Sequence, residues 1–317
     1  MRESVVGPKL DWTFPELRAQ ILGGVDAGAI EAELERLGTV RCFFFEVSVG
    51  ALFGIELGDG MLMALKLHQE HVGQAELSAV QSVQAHLAAH GFPCPQPLLA
   101  PTPFLSRLAT GEEWCDDGEY MLPDEGRRRA FAALLARQIE LCSELSAADA
   151  LTWIPSHQPL WPRPHNALFD FEATSAGAEW IDEIARTARA GDRAGPMVLA
   201  HQDWTFRHVR WRDGKPTVIY DWDAVSCDNE SISLGAAAAM HTYPPGEVRG
   251  WKPSVADALS FLDAYEDVRP LDAPTRRAAE AHTVYSVAYS SRCEHAVSFE
   301  PATNSRSVLR DFAERFL

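Results

Sequence analysis

Three short strands in succession, and almost none afterwards, constrain this chain more than any other feature. Residues 40–47 are rich in aromatic and β-branched side chains, Ser48-Val49-Gly50 is a turn, residues 51–57 form a second apolar run, Gly58-Asp59-Gly60 is a hairpin signal, and residues 61–67 form a third. Strands joined this closely must pair antiparallel, and the sheet they make needs cover on one face. A helix is expected over 76–90, with Leu77, Val80, Val83 and Leu87 at helical spacing and Gly91 as its stop. Phe92-Pro93-Cys94-Pro95-Gln96-Pro97 comes next as an extended connector, because each proline biases its predecessor out of the helical region. Residues 98–108 then complete the sheet and leave it. Upstream, residues 15–37 read as a helix broken at Gly23-Gly24 and stopped at Gly38.

Beyond that point the periodicity is helical, over 124–145, 178–190, 233–241, 254–266, 274–296 and 304–316, with residues 148–170 irregular and rich in Pro, Trp and His. The fold class is therefore α+β and bilobal: a small antiparallel β lobe over 1–105 and a larger, mainly helical lobe over 106–317. A cleft between two such lobes is a natural ligand site. The 317 residues suffice for a sizeable core.

Charge and cysteine usage remove several classes of function. Forty-five acidic against 28 basic residues give −17, which disfavours binding nucleic acid through its phosphates. The same field attracts a cationic small molecule, or simply keeps the chain soluble. No apolar run approaches a membrane span, the N-terminus lacks the pattern of a signal peptide, and six scattered cysteines without a CxxC pair suit reduced thiols in a cytoplasm.

The chemistry concentrates in residues 199–222, LAHQDWTFRHVRWRDGKPTVIYDW. Asp203 and Asp221 are expected at the outer ends of two adjacent short strands, which a tight turn at Asp213-Gly214 brings together. Such a carboxylate pair can hold a divalent cation and take a proton from a hydroxyl, as phosphoryl transfer requires. Asp203 suits the proton acceptor. Asp221, ending the apolar run Thr217-Val218-Ile219-Tyr220, suits magnesium, which takes one or two carboxylates plus substrate phosphates. Asp223 either caps the next segment or is solvated. His201 is expected to lock the loop by bonding a backbone carbonyl or Asp221. His-x-Asp alone is a common coincidence; the strand, turn and strand after it make it specific. Lys66, inside the apolar run Met63-Ala64-Leu65-Lys66-Leu67, is either an outward edge lysine or one whose ammonium reaches nucleotide phosphates.

In this order, a β lobe, strand lysine, helix, Pro-x-Pro connector, His-x-Asp loop and strand ending in Asp-Trp, the chain resembles the aminoglycoside phosphotransferase and choline kinase family, which has a protein-kinase-like fold. The resemblance covers roughly residues 37–240 and is most specific over 199–223. It implies an enzyme that moves the γ-phosphate of ATP, with Mg2+, to a hydroxyl of a small molecule. It assigns Asp203 and His201 to the catalytic loop, Asp221 to the metal, Lys66 to the phosphates, and Ser48 and Gly50 to the nucleotide-covering loop. Two departures stand out. His208 occupies the position of an asparagine that helps hold a second magnesium, so it either ligates metal or contacts nucleotide or substrate. The helix glutamate expected to pair with Lys66 is either Glu76, one turn early with Val80 in its place, or missing.

For the acceptor, His157, Trp161, His165, Asn166 and Asp170 form an aromatic and acidic group that either binds a cationic or sugar-like molecule or packs a loop. Asp228 and Glu230 either line an acceptor pocket or are solvated, and Arg292, Glu294 and His295 read as a charge network at a helix end. A cationic, aminoglycoside-like acceptor and a metabolic alcohol both fit. The alternative is a catalytically weak nucleotide-binding regulatory protein of the same fold. No Gly-x-Ser-x-Gly elbow and no Gly-x-Gly-x-x-Gly fingerprint is present.

Overall fold

A computed structural model describes residues 27–47, 50–145, 151, 159–162, 164, 169–245, 251–297 and 304–317. The chain divides into two compact units. One comprises the described residues up to Ala88 together with Pro95–Cys115; the other comprises Ala89–Cys94 and the described residues from Asp116 onward.

The first unit carries α1 (Ala27–Arg36), β1 (Thr39–Val47), β2 (Ala51–Leu57), β3 (Leu62–Leu67), α2 (Gln74–Ala89), β4 (Pro97–Phe104) and β5 (Arg107–Glu113). Its five strands are all antiparallel in the order β1-β2-β3-β5-β4. Gly38 stops α1 with φ +81°, a conformation that costs glycine nothing. The α1 residue Leu34, Phe53, Ile55 and Leu65 of the sheet, and Val83 and Leu87 of α2 are fully buried. Alternation along β2 and β3 puts Phe53, Ile55 and Leu65 on one face.

Residues 98–108 are not a single strand. They form the β4–β5 hairpin, which turns at Leu105 with φ 55°, and β5 then returns beside β3 as far as Glu113. The sheet unit accordingly extends to Cys115, and a boundary at 105/106 would cut this hairpin. β4 is an edge strand, which is why it tolerates Pro97, Pro101 and Pro103. Residues 15–26 of the expected first helix lie outside the described residues.

The second unit carries α3 (Glu125–Leu141), α4 (Glu179–Arg189), β6 (Met197–His201), β7 (Val209–Arg212), β8 (Lys215–Ile219), β9 (Val225–Asn229), α5 (Glu230–Met240), α6 (Val255–Glu266), α7 (Ala273–Ala296) and α8 (Ser305–Phe316). Side-chain caps start three of the helices: Asp124, Ser254 and Asp272 accept from the backbone of Arg127, Asp257 and Thr275. α5 and α7 approach closely at Gly235, where an added Cβ would lie 2.6 Å from the Ala279 carbonyl oxygen and 2.9 Å from the Thr283 nitrogen. Neither neighbour is a side chain that can swing away. Gly235→Ala is expected to destabilise the protein by about 1–3 kcal/mol through overpacking, despite alanine's better helix propensity, as read by the midpoint of urea unfolding.

Candidate active site

The site grows from two small β pairs in the helical unit. β6 pairs with β9, and β7 with β8. The β7–β8 turn is the expected one: Asp213 and Gly214 both have positive φ, 50° and 72°, as the favoured two-residue hairpin turn requires. The arrangement at its other end differs from the expectation. Asp203 is not at the end of β7. It follows β6, and the 3-10 turn Phe206–His208 separates it from β7. The residues that meet across the hairpin ends are His208 and Tyr220, whose N–H donates to the His208 carbonyl at 2.8 Å.

His201 fixes this layout. It is fully buried, and the Asp203 N–H donates to its Nδ1 at 3.1 Å. The ring proton therefore sits on Nε2, which donates to the Tyr220 carbonyl at 2.9 Å. One imidazole thus ties the backbone of the first carboxylate to the residue just before the second. Burial, with the neighbouring His208 second, pushes its pKa down to about 4, so it serves as a neutral crosslink. Gln138 of α3, also fully buried, clamps the same strand: its amide donates to the Leu199 carbonyl at 3.0 Å and its oxygen accepts from the His201 N–H at 3.2 Å. The loop beyond is held from the C-terminal end of α5, where the His241 and Tyr243 carbonyls accept from the Phe206 and Arg207 N–H groups at 2.7 and 2.9 Å. Trp204 stacks on Phe131 and donates to its carbonyl at 3.1 Å. Neither Gln138 nor His241 is signalled by the sequence.

This frame brings three groups together. His208 Nδ1 lies 3.5 Å from Asp203 Oδ2 and 3.3 Å from the Asp203 carbonyl oxygen, while its Nε2 lies 3.7 Å from Asp221 Oδ2. One oxygen or nitrogen from each of Asp203, His208 and Asp221 falls within 4.8 Å of the others. Asp221 sits in the left-handed region, φ 69° and ψ 43°, which aspartate tolerates better than most residues. The Trp222 indole is buried, donates to the Ile219 carbonyl at 2.8 Å and meets Phe92 edge-on. In a neutral ring, the contact of Nδ1 with the Asp203 carbonyl leaves the Nε2 lone pair facing a carboxylate oxygen. Two acceptors facing each other at 3.7 Å suit a bridging cation.

In the sheet unit, Lys66 is half-buried on β3, opposite Leu52 on β2 and Thr110 on β5. Glu76 is exposed in the first turn of α2. Gly50 has a local reason to be glycine, since a Cβ there would lie 2.4 Å from the Leu67 carbonyl oxygen. Ser48 lies outside the described residues, as do His157, His165 and Asn166.

The remaining described candidates have local partners or lie at the surface. Trp161 stacks on Tyr285 and donates to Asp182 at 3.0 Å, and Asp170 caps its own turn through the Glu172 and Ala173 N–H groups. Asp228 and Glu230 neither line an open pocket nor are solvated: both are buried, Asp228 paired with Arg193, and Glu230 with Arg269 and the Tyr265 hydroxyl. Asp223 is exposed. Glu294 accepts from the Ser305 and Arg306 N–H groups at the start of α8, Arg292 is buried against Phe171, and His295 bonds the Ala176 carbonyl.

The buried histidines also set an acid limit. Burial first, and Arg128 second, push His241 down to about 3, as burial pushes His201 to about 4. Both lie below the unfolded value of 6.5, so the unfolded chain binds the extra protons and the two neutral rings stabilise fully only above about pH 6.5. Stability is expected to fall as pH drops from 6.5 towards 4, by up to about 1.4 kcal/mol per pH unit for each ring. Urea unfolding at pH 7, 6 and 5 measures it; an unfolding midpoint that stays flat over that range contradicts it.

The comparisons bear on the fold and the family. The structure resembles an amicoumacin kinase bound to AMP-PNP, Ca2+ and amicoumacin (TM-score 0.64, 11% identity, covering 90% of this chain and 92% of that one). It also resembles a microcompartment-associated aminopropanol kinase (0.61, 13%, 90% and 94%) and an aminoglycoside phosphotransferase from Alicyclobacillus acidocaldarius (0.52, 12%, 93% and 96%). At these identities the likeness establishes the fold, an antiparallel-sheet N-terminal region followed by a helical region. No curated protein matches the sequence significantly. Among the described residues, no helix is long and apolar enough to cross a membrane. The profile of the phosphotransferase enzyme family (APH) matches residues 55–279, most of the sequence and a span that includes Asp203, His208 and Asp221, and the chain belongs to that family of enzymes.

Proposed function

We propose that this phosphotransferase moves the γ-phosphoryl group of ATP to a hydroxyl of a small-molecule acceptor. The observation that carries the reading is the joining of Asp203, His208 and Asp221 within 4.8 Å on a frame that ties their backbones together. Asp203, the most exposed of the three, orients the acceptor hydroxyl and takes its proton as the oxygen attacks phosphorus. Asp221 and His208 would hold the divalent cation, Mg2+ in the first instance, with Lys66 on the α and β phosphates and the segment around Ser48 and Gly50 covering the nucleotide. A bound cation supplies charge neutralisation between the phosphates. His201 contributes by position alone.

Support for nucleotide and cation comes from the AMP-PNP and Ca2+ held by the amicoumacin kinase, and support for a hydroxyl acceptor from the names of the aminopropanol kinase and the antibiotic phosphotransferases. The charge of −17 favours a cationic acceptor, an aminoglycoside or an amino alcohol. An acceptor-library screen for ADP release, with Mg2+ and with Mn2+, tests the reading. Release that depends on acceptor supports it. ATP binding without release across a broad panel favours instead a nucleotide-binding regulatory protein, the reading that the histidine at position 208 motivates.

A further inference from the structure

The β3–β5 register gives Lys66 a carboxylate neighbour that the sequence does not reveal. Lys66 lies opposite Thr110, and Ala64 lies opposite Glu112. Opposed residues in an antiparallel pair project to the same face, and next-but-one residues stay on it, so all four share a face. Lys66 and Glu112 are diagonal neighbours there. Their Cβ atoms are about 7–8 Å apart, a span that a lysine and a glutamate side chain close between them.

Glu112 is aimed rather than loose. Its Oε2 accepts from Gln84 Nε2 at 2.6 Å, and the same amide nitrogen donates to the Pro95 carbonyl at 3.0 Å. Gln84 is buried in α2, so this clamp rests on a rigid element. Glu76 is worse placed. It is exposed, and it precedes Gln84, the α2 residue that reaches this face, by eight residues or about 12 Å of helix.

From these positions we infer that Glu112, a strand carboxylate, is the partner that holds the Lys66 ammonium, making it a positioning residue for phosphate binding. Gln84 sets the carboxylate, the carboxylate sets the ammonium, and the ammonium meets the phosphates. The inference rests on the proposed role of Lys66 in ATP binding, but the pairing itself is measurable without turnover.

The decisive measurement is the titration of Lys66 by NMR of 13C-dimethylated lysines, with Lys66→Gln to assign the signal. A carboxylate partner favours the charged amine, so Glu112→Gln is expected to lower the Lys66 pKa, whereas Glu76→Gln leaves it in place. Should Glu112→Gln not fold, the reciprocal reading serves: Lys66→Met raises the carboxyl pKa of 13C-labelled Glu112. In kinetics, Glu112→Gln is expected to lower kcat/KM for ATP by about tenfold to a hundredfold, the range for a lost charged hydrogen bond, and to add nothing once Lys66 is already Gln. A Lys66 titration untouched by Glu112→Gln, or moved by Glu76→Gln, overturns the pairing. Absence of acceptor-dependent ADP release from the wild-type protein overturns the kinase reading instead and leaves the NMR result standing.

Discussion

Asp203→Asn is expected to lower acceptor-dependent ADP release by about a thousandfold, within the range that a positioned general base supplies, while ATP still binds. The substitution keeps the shape of the side chain and the backbone N–H that donates to His201 Nδ1, so the crosslink from His201 to the Tyr220 carbonyl survives. Only the ability to accept a proton is lost. A change confined to kcat, with the thermal midpoint and ATP affinity near wild type, is the signature of an interaction made in the transition state. His201→Leu offers the contrast. It removes a buried crosslink on which both carboxylates depend, so it lowers stability and activity together. Full turnover in Asp203→Asn removes Asp203 as the proton acceptor and with it the proposed assignment of the loop.

How much of this site the sequence discloses depends on how local its determinants are. The β7–β8 hairpin is legible because Asp213-Gly214 is turn chemistry written into two adjacent residues. The β4–β5 hairpin is not, because its turn places Leu105 at positive φ without a Gly, Asn or Asp to announce it. The carboxylates and His208 are legible as a spacing, but their geometry is not. Asp203 reaches His208 through a 3-10 turn instead of a strand end, and Gln138, more than 60 residues from His201, holds the strand they leave from. Asp228 and Glu230 look like solvated loop acids because Arg193 and Arg269, which neutralise them, are 35 and 39 residues away. Glu112 is hidden in the same way: its relation to Lys66 exists only once β5 returns beside β3.

Asp221→Asn is expected to abolish cation-dependent ATP binding and to lower kcat/KM by about a hundredfold or more, as loss of a charged ligand to the cation implies. Asparagine is the informative replacement because it shares aspartate's tolerance of the left-handed backbone found here, φ 69°, so the charge goes and the turn stays. Electron paramagnetic resonance of bound Mn2+ reads the loss directly, without turnover. The same measurement assigns His208. Its Nε2 faces Asp221 Oδ2 at 3.7 Å, a spacing that a cation held by both can span. If His208 is a ligand, His208→Asn exchanges nitrogen for oxygen, keeps turnover, and moves preference from Mn2+ towards Mg2+, since magnesium favours oxygen donors and imidazole suits later metals. If His208 is not a ligand, His208→Asn leaves the ratio of Mn2+ to Mg2+ affinity unchanged. Mn2+ that binds Asp221→Asn as tightly as wild type would place the cation elsewhere and sink the three-residue site.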